Sequence, residues 1–222
     1  MPYFDHSATT PVHPDVLELM AITQRDVYGN PSSVHVQGRK AKSIIEKARR
    51  QVAAAIGAKP DQIIFTSGGS ESNNQVLRSV LNMNKKHIIA TAIEHPAILN
   101  VLESLEQFGI SHNCISVDPN GTMNFHEFKN SIRDTTGLIS VMLANNEVGT
   151  IQPIQEIVKT AKPKSIPVHT DAVQCLGKIP IDVDELGIDY LSLSAHKFYG
   201  PKGSGILYIR DKKFISALII GG

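Results

Sequence analysis

Gln62-Ile63-Ile64-Phe65-Thr66-Ser67-Gly68-Gly69-Ser70 is a short apolar run that stops abruptly at a glycine-rich turn. The helix-like stretch 71–82 follows it, and a second apolar run, residues 86–92, comes next. This strand–turn–helix–strand unit decides the fold. Its runs are uniformly apolar rather than alternating, which marks strands covered on both faces.

The same unit recurs on either side. Upstream, Ala41, Ile44, Ile45, Ala48, Val52, Ala55 and Ile56 share one helical stripe, stopped at Gly57. Downstream, Ile98, Leu99, Leu102 and Leu105 predict a helix between Glu94-His95-Pro96 and Gly109. Strands are expected at 110–117, 138–143, 166–170 and 188–193, and helices over 125–132 and 154–161, with a turn at Asp118-Pro119-Asn120-Gly121. The alternation predicts an α/β fold of three layers, α/β/α, around a mainly parallel central sheet. With no repeat or long linker, the expected division is an N-terminal segment, 1–15, and one domain over 16–222. The apolar stretch 214–222 predicts that this domain is incomplete at its C-terminus.

Bulk properties exclude several classes. The 222 residues carry a formal net charge of +1, so no whole-molecule field draws nucleic acid or an anionic membrane. Arg39, Lys40, Lys42, Lys47, Arg49 and Arg50 form a local basic cluster, read as a solvated helix face because Glu46 and apolar residues interleave with it. No stretch approaches the roughly 18 apolar residues of a membrane span, and Met1-Pro2-Tyr3-Phe4-Asp5 lacks the basic and apolar regions of a signal peptide. Two cysteines, Cys114 and Cys175, are too few for a disulfide framework, so the expected location is cytoplasmic.

Chemistry-bearing residues sit at five successive strand ends, where ligands bind in open α/β sheets. They are Thr66 to Ser70, Glu94-His95, Asn145-Asn146-Glu147, His169-Thr170-Asp171 and Ser194-Ala195-His196-Lys197. Gly68 and Gly69 let the backbone approach an anion, and Ser70 is placed to cap the helix that starts there, favouring a phosphate. The turn lacks the third glycine of a dinucleotide fingerprint and the Lys-Ser/Thr of a Walker loop, so an ordinary strand–helix turn fits it equally. Asp171 reads either as a helix cap or as the partner of a pyridinium nitrogen. His95 is either a cap or a stacking ring. Lys197 is either a surface lysine or an amine with the lowered pKa that imine formation needs. His169-Thr170-Asp171 also matches the H-x-D part of a two-histidine, one-carboxylate iron site, but those sites belong to β-helix folds, and no zinc-type histidine pairing is present; no metal is expected.

Taken together, these residues resemble the cysteine desulfurase family, class V aminotransferase-like enzymes of the fold-type I pyridoxal-phosphate group. The resemblance is carried by Tyr3-Phe4-Asp5-His6-Ser7-Ala8-Thr9-Thr10-Pro11 and Gly29-Asn30-Pro31-Ser32-Ser33. It continues through Phe65 to Asn74, Glu94-His95, Asn145 to Gly149, Asp171-Ala172-Val173-Gln174 and the Lys197 segment. It implies a pyridoxal-phosphate-binding large domain. In it Lys197 would hold the cofactor as a Schiff base and move the α-proton, Asp171 would face the pyridine nitrogen and His95 would stack on the ring. Asn146 would lie by the ring substituents, Gln174 would hydrogen-bond the phenolic oxygen, and Gly69, Ser70, Ser194 and His196 would hold the phosphate.

The family converts L-cysteine to L-alanine and hands the sulfur, as a persulfide, to iron–sulfur cluster or thiolation pathways through a sulfur-acceptor or scaffold protein. Two departures stand out. Many members have Ala-Thr where this chain has Gly69-Ser70, and members continue well past residue 222 into a part that includes the sulfur-accepting loop cysteine and also a small C-terminal domain. Cys114, inside an apolar strand pattern, and Cys175, on an ordered turn, are expected to be structural rather than replacements for it. The resemblance therefore implies the cofactor-binding portion of a desulfurase, acting as a homodimer or with a complementing C-terminal chain. Its alternatives are a catalytically inactive assembly subunit of the same fold, or a selenocysteine lyase or other class V relative.

Overall fold

The computed structural model describes residues 2–212 and 215–220. In chain order its elements are α1 (Pro14–Asp26), α2 (Val36–Ala55), β1 (Ile63–Thr66), α3 (Gly69–Ser79), β2 (His87–Thr91), α4 (Pro96–Glu106) and β3 (Ser111–Ile115). They continue as α5 (Phe125–Ser131), β4 (Thr136–Ser140), α6 (Ile154–Ala161), β5 (Val168–Asp171), α7 (Val183–Leu186), β6 (Tyr190–Ser194) and β7 (Gly205–Ile209). The strands form one sheet in the order β1-β7-β6-β5-β4-β2-β3. All neighbours are parallel except β7, which is antiparallel to both β1 and β6.

Successive residues of a strand feed opposite faces, and the two halves of the core show this directly. Ile88 and Ala90 pack with Val76 and Leu77 of α3, with Val80 just past its end, and with Ile98, Leu102 and Leu105 of α4. Ile89, between them, joins the other face with Ile56, Phe128 of α5 and Ile154 and Ile157 of α6. Three layers result, as the apolar runs imply. Phe128 is fully buried, so Phe128→Ala would cost about 3–5 kcal/mol.

Some expectations shift. The strand expected at 138–143 is Thr136–Ser140; Val141 to Leu143 leave the ladder but stay buried, and Val141 and Leu143 still donate to the carbonyls of His169 and Asp171. Strand β7 was not anticipated, although Ile206-Leu207-Tyr208-Ile209 carries the same continuous apolar signature as its neighbours. Helix α1 was not anticipated either; His13 caps it, Pro14 starts it, and none of its residues is buried. Leu17, Leu19, Met20 and Ile22 lie exposed along it. The expectation for 214–222 falls partly outside the described residues; within it Ile219 and Ile220 are exposed.

Cys114 corrects a further expectation. Strand β3 is the sheet edge, only its Ile115 is buried, and Cys114 is exposed rather than enclosed. Partial desolvation, then the charges of Glu94 and Glu103, push its thiol up, so it is not an activated thiolate. Cys175 is buried, with its thiol pushed up to about 12 by desolvation and by Asp171.

Candidate active site

Because β1 and β6 flank the single reversed strand β7, they run the same way as β2, β4 and β5. Their carboxyl ends therefore share one edge of the sheet. A cleft of about 790 Å³ opens there, and Gly69, Ser70, His95, Asn146, Asp171, Gln174, Ser194, His196 and Lys197 all line it. A larger cavity, of about 1030 Å³, lies at the opposite ends of β4, β5 and β6 and holds none of these residues. Its Arg210 is already bonded to Asp184 and to the carbonyls of Ile188 and Val183.

Lys197 ends a tight turn directly after β6. Its Nζ donates to the carbonyl of Ala8 at 2.8 Å and to that of Ser7. Gln174 Nε2 donates to the same Ser7 carbonyl at 2.8 Å, while Gln174 Oε1 accepts from Lys178 Nζ at 2.9 Å. The N-terminal segment is thus a strap across the cleft. Thr10 N donates to the His196 carbonyl at 2.8 Å, His196 Nδ1 lies 3.1 Å from Thr9 Oγ1, and Tyr199 N donates to Thr10 Oγ1 at 2.7 Å. Tyr199 holds φ at 65°, a left-handed conformation that non-glycine residues keep only when surrounding bonds enforce it. Burial, then the charge of Lys178, hold the Lys197 amine below the ordinary lysine range; Asp171 and Asp5 oppose this.

Asp171 closes β5 and is buried. Its Oδ2 accepts from Asn73 Nδ2 at 2.8 Å and its Oδ1 from Val173 N at 3.0 Å. Burial pushes its carboxyl up, and those two N–H bonds, with the charges of His95 and Lys197, pull it back. Asn73, in the run Ser72-Asn73-Asn74, was not singled out from the sequence. The signal was its position one turn into the helix after the glycine turn, facing the sheet. His169 is not at the strand end: it is enclosed within β5, with Nδ1 2.8 Å from Ser140 Oγ and Nε2 2.9 Å from Ser192 Oγ. Burial drives its pKa down to about 3, so it is a neutral core residue. The described residues hold no cluster able to ligate a metal.

The phosphate turn also differs from expectation. Helix α3 starts at Gly69 with Gly68 as its cap, so Ser70 sits inside the first turn and does not cap it. Glu71 instead turns back and accepts from Ser67 N at 2.7 Å. A Cβ on Gly69 would lie 2.7 Å from Val173 Cγ2, and one on Gly205 would lie 2.4 Å from Gly68 Cα. In this chain the space that a Cβ at 69 would need is taken by Val173. Desolvation, then Lys197 and Lys202, lower the His196 pKa and favour its neutral ring.

His95 caps α4, its Nδ1 accepting from Ala97 N at 3.0 Å, and the same exposed ring lines the cleft, so capping and a place beside a ligand are compatible. Glu94 beside it is buried, accepts from Thr91 Oγ1 at 2.5 Å and Met142 N at 3.0 Å, and desolvation raises its pKa to about 8. Asn145 organises the loop that presents Asn146: it donates to the Ile93 carbonyl at 3.1 Å and accepts from Glu147 N at 2.8 Å and Val148 N at 2.9 Å.

The donor set fits pyridoxal phosphate. A buried carboxylate, an amine held below its usual range and a helix start with two glycines meet in one cleft. Asn73 Oδ1 is a buried acceptor with no protein partner in its wall. A phosphorylated pyridine aldehyde matches these groups: carboxylate for a ring nitrogen, amine for the aldehyde, helix N-terminus for the phosphate.

Comparison with known proteins gives the same picture. The aminotransferase class-V family model matches residues 2–222. The cysteine desulfurase IscS of Dictyoglomus turgidum is 51% identical over 99% of this chain and 57% of its own length. A solved NifS-like protein superposes with a TM-score of 0.96 at 45% identity, covering 99% of this chain and 62% of that one. A structure described as SspA in complex with cysteine gives a TM-score of 0.96 at 42% identity, over 100% of this chain and 65% of that one. The chain therefore spans less than two thirds of the length of these relatives.

Proposed function

Since the chain belongs to the aminotransferase class-V family, we propose that it is the cofactor-binding portion of a pyridoxal-phosphate-dependent cysteine desulfurase. L-cysteine is the substrate, L-alanine the product, and the sulfur leaves as a persulfide for an acceptor or scaffold protein in iron–sulfur or thiolation chemistry. The observation that carries this reading is the convergence of Lys197, Asp171 and His95 on one cleft. The names of the relatives and the cysteine complex of SspA support the substrate.

When bound, the cofactor supplies an electron sink for the negative charge that develops at the substrate Cα. Lys197, whose Nζ is now held by the Ser7 and Ala8 carbonyls, would hold the cofactor and move a proton at Nζ. Asp171 Oδ2, set by Asn73, would face the ring nitrogen. His95 would stack on the ring, Gln174 would bond the phenolic oxygen and Asn146 would lie by the ring substituents. The start of α3 at Gly69 and Ser70, with Ser194 and His196, binds the phosphate.

Neither Cys175, buried with its thiol pushed up to about 12, nor Cys114, on the edge strand away from the cleft lining, is suited to take the sulfur. The same observation favours a second reading, a non-catalytic assembly subunit of this fold. A homodimer or complementing chain is supported by the exposed Leu17, Leu19, Met20 and Ile22 of α1. The two free cysteines support a reducing, cytoplasmic location.

The test is to purify the chain with pyridoxal phosphate. A visible absorbance band that borohydride abolishes and Lys197→Ala lacks is expected, followed by alanine and sulfide on adding cysteine with a thiol acceptor. No band overturns the cofactor assignment. A band without turnover, even with a candidate partner, leaves the non-catalytic reading.

A further inference from the structure

We propose that Asn73 is the positioning residue of this site: its amide holds Asp171 as an ionised carboxylate aimed into the cleft. The inference rests on the reading above, in which Asp171 faces the ring nitrogen.

Asn73 is 1% exposed, on the face of α3 that meets the sheet, with Val76 and Leu77 of the same helix buried below it. Its Nδ2 donates to Asp171 Oδ2 at 2.8 Å. The other oxygen, Oδ1, accepts from Val173 N at 3.0 Å. The carboxylate is thus bonded on both oxygens, and its orientation is fixed from two elements, α3 and the end of β5.

The remaining atom of the amide decides the argument. Asn73 Oδ1 is buried and has no protein partner. Leaving such an acceptor unpaired is costly, and a side chain kept only for packing would not keep an amide here. Flipping the amide would set its oxygen against Asp171 Oδ2, so the carboxylate contact dictates which end faces inward. The amide is retained for that one donor.

Its neutrality matters as much as its donor. Lys197 and His95 are the basic groups that act on Asp171, and Glu94 and Cys175 are the titratable groups on the acidic side. An arginine or lysine in place of Asn73 would neutralise the carboxylate and satisfy it inside the protein. A neutral amide orients the carboxylate and leaves its full charge for a protonated ring nitrogen.

Two substitutions test this in the full chain. Asn73→Asp is isosteric but sets a second carboxylate against Asp171; Asn73→Leu keeps the volume and removes the donor. First, the Asp171 carboxyl is titrated by isotope-edited NMR without cofactor. Its midpoint is expected to rise in both variants, and an unchanged midpoint overturns the inference, because loss of packing alone would not move it. Second, the isotope-labelled ring nitrogen of bound pyridoxal phosphate is followed with pH. The wild type keeps it protonated through neutrality, while both variants lose that proton and bind the cofactor at least about tenfold more weakly, the equivalent of one pKa unit. Variants with wild-type nitrogen shifts overturn the inference while the borohydride-reducible band still upholds Lys197. A wild type that forms no band overturns the reading of the site, and the Asp171 titration still decides the role of Asn73.

Discussion

The Nζ of Lys197 donates to the carbonyl of Ala8 at 2.8 Å, across 189 positions of sequence. The amine of the site is therefore held by backbone at the other end of the chain rather than by a carboxylate. Two carbonyls stabilise its charged form, while burial and Lys178 disfavour it, and the balance falls below the ordinary lysine range. A depressed lysine pKa makes folding less favourable where the amine is charged, so its contribution improves as pH climbs toward 10.5, the ordinary value. The pH midpoint for borohydride trapping of pyridoxal phosphate on Lys197 is expected below that of exposed lysines, and Lys178→Met should raise it. Trapping rates measured against pH for both proteins check this, and coincident midpoints would count against it.

Glu94 makes a second, opposite pH dependence. Its folded pKa is raised from 4.5 to about 8, so the stability tied to its proton is complete below 4.5 and is lost as pH rises toward about 8. His169 works the other way: with its pKa lowered from 6.5 to about 3, it weakens the fold as pH falls below 6.5. Between 6.5 and about 8 the Glu94 contribution stands clear of His169. Glu94→Gln, which keeps an acceptor for Met142 N, should flatten the fall in unfolding free energy over that window. Urea titrations at several pH values supply the slopes; parallel slopes in the two proteins would refute the assignment.

Gly69 and Val173 should behave as a coupled pair. A Cβ at 69 meets Val173 Cγ2 at 2.7 Å, so Gly69→Ala is expected to cost about 1–3 kcal/mol by overpacking. Val173→Ala should recover most of that cost in the double variant. A double-mutant cycle measured by denaturant unfolding gives the coupling, and additive effects would show that the two residues do not share the space.

Asn145→Ala removes one donor to the Ile93 carbonyl and the acceptor of Glu147 N and Val148 N at once. Because Glu147 and Val148 are exposed and water can replace part of these bonds, the loss is expected at about 1 kcal/mol. Denaturant unfolding should show that loss. Cofactor affinity should fall with it, because Asn146 is presented by the same loop, whereas unchanged affinity would separate Asn146 from the cleft.

The three layers were legible because strands covered on both faces tend to be continuously apolar, as Ile88-Ile89-Ala90 of β2 is; β5, Val168-His169-Thr170-Asp171, is buried throughout yet mostly polar. The cleft was legible because polar residues that follow such strands have nowhere to go but the sheet edge. What stayed hidden were contacts between distant parts of the chain. The bonds from Ser7 and Ala8 to Lys197, and from Asn73 to Asp171, depend on three-dimensional placement and leave no local pattern. Cys114 was misjudged because an apolar neighbour, Ile115, suggested a central strand, whereas β3 is the edge. Ser70 was misjudged by two residues of helix start, since a glycine cap leaves no side-chain signature.

The reversal at β7 also sets a timetable. Strand β1, which leads into the phosphate turn, joins the sheet only through β7, and its residues Ile63 to Thr66 pair with Tyr208 to Gly205. A ribosome that has made the first two hundred or so residues has already produced the turn, the carboxylate and the lysine, yet β1 has no partner strand to bring the turn to the edge that β5 and β6 share. The strand that joins them has not been made. Cofactor capture on the growing chain must wait for Gly205 to Ile209 to emerge and slot between β1 and β6.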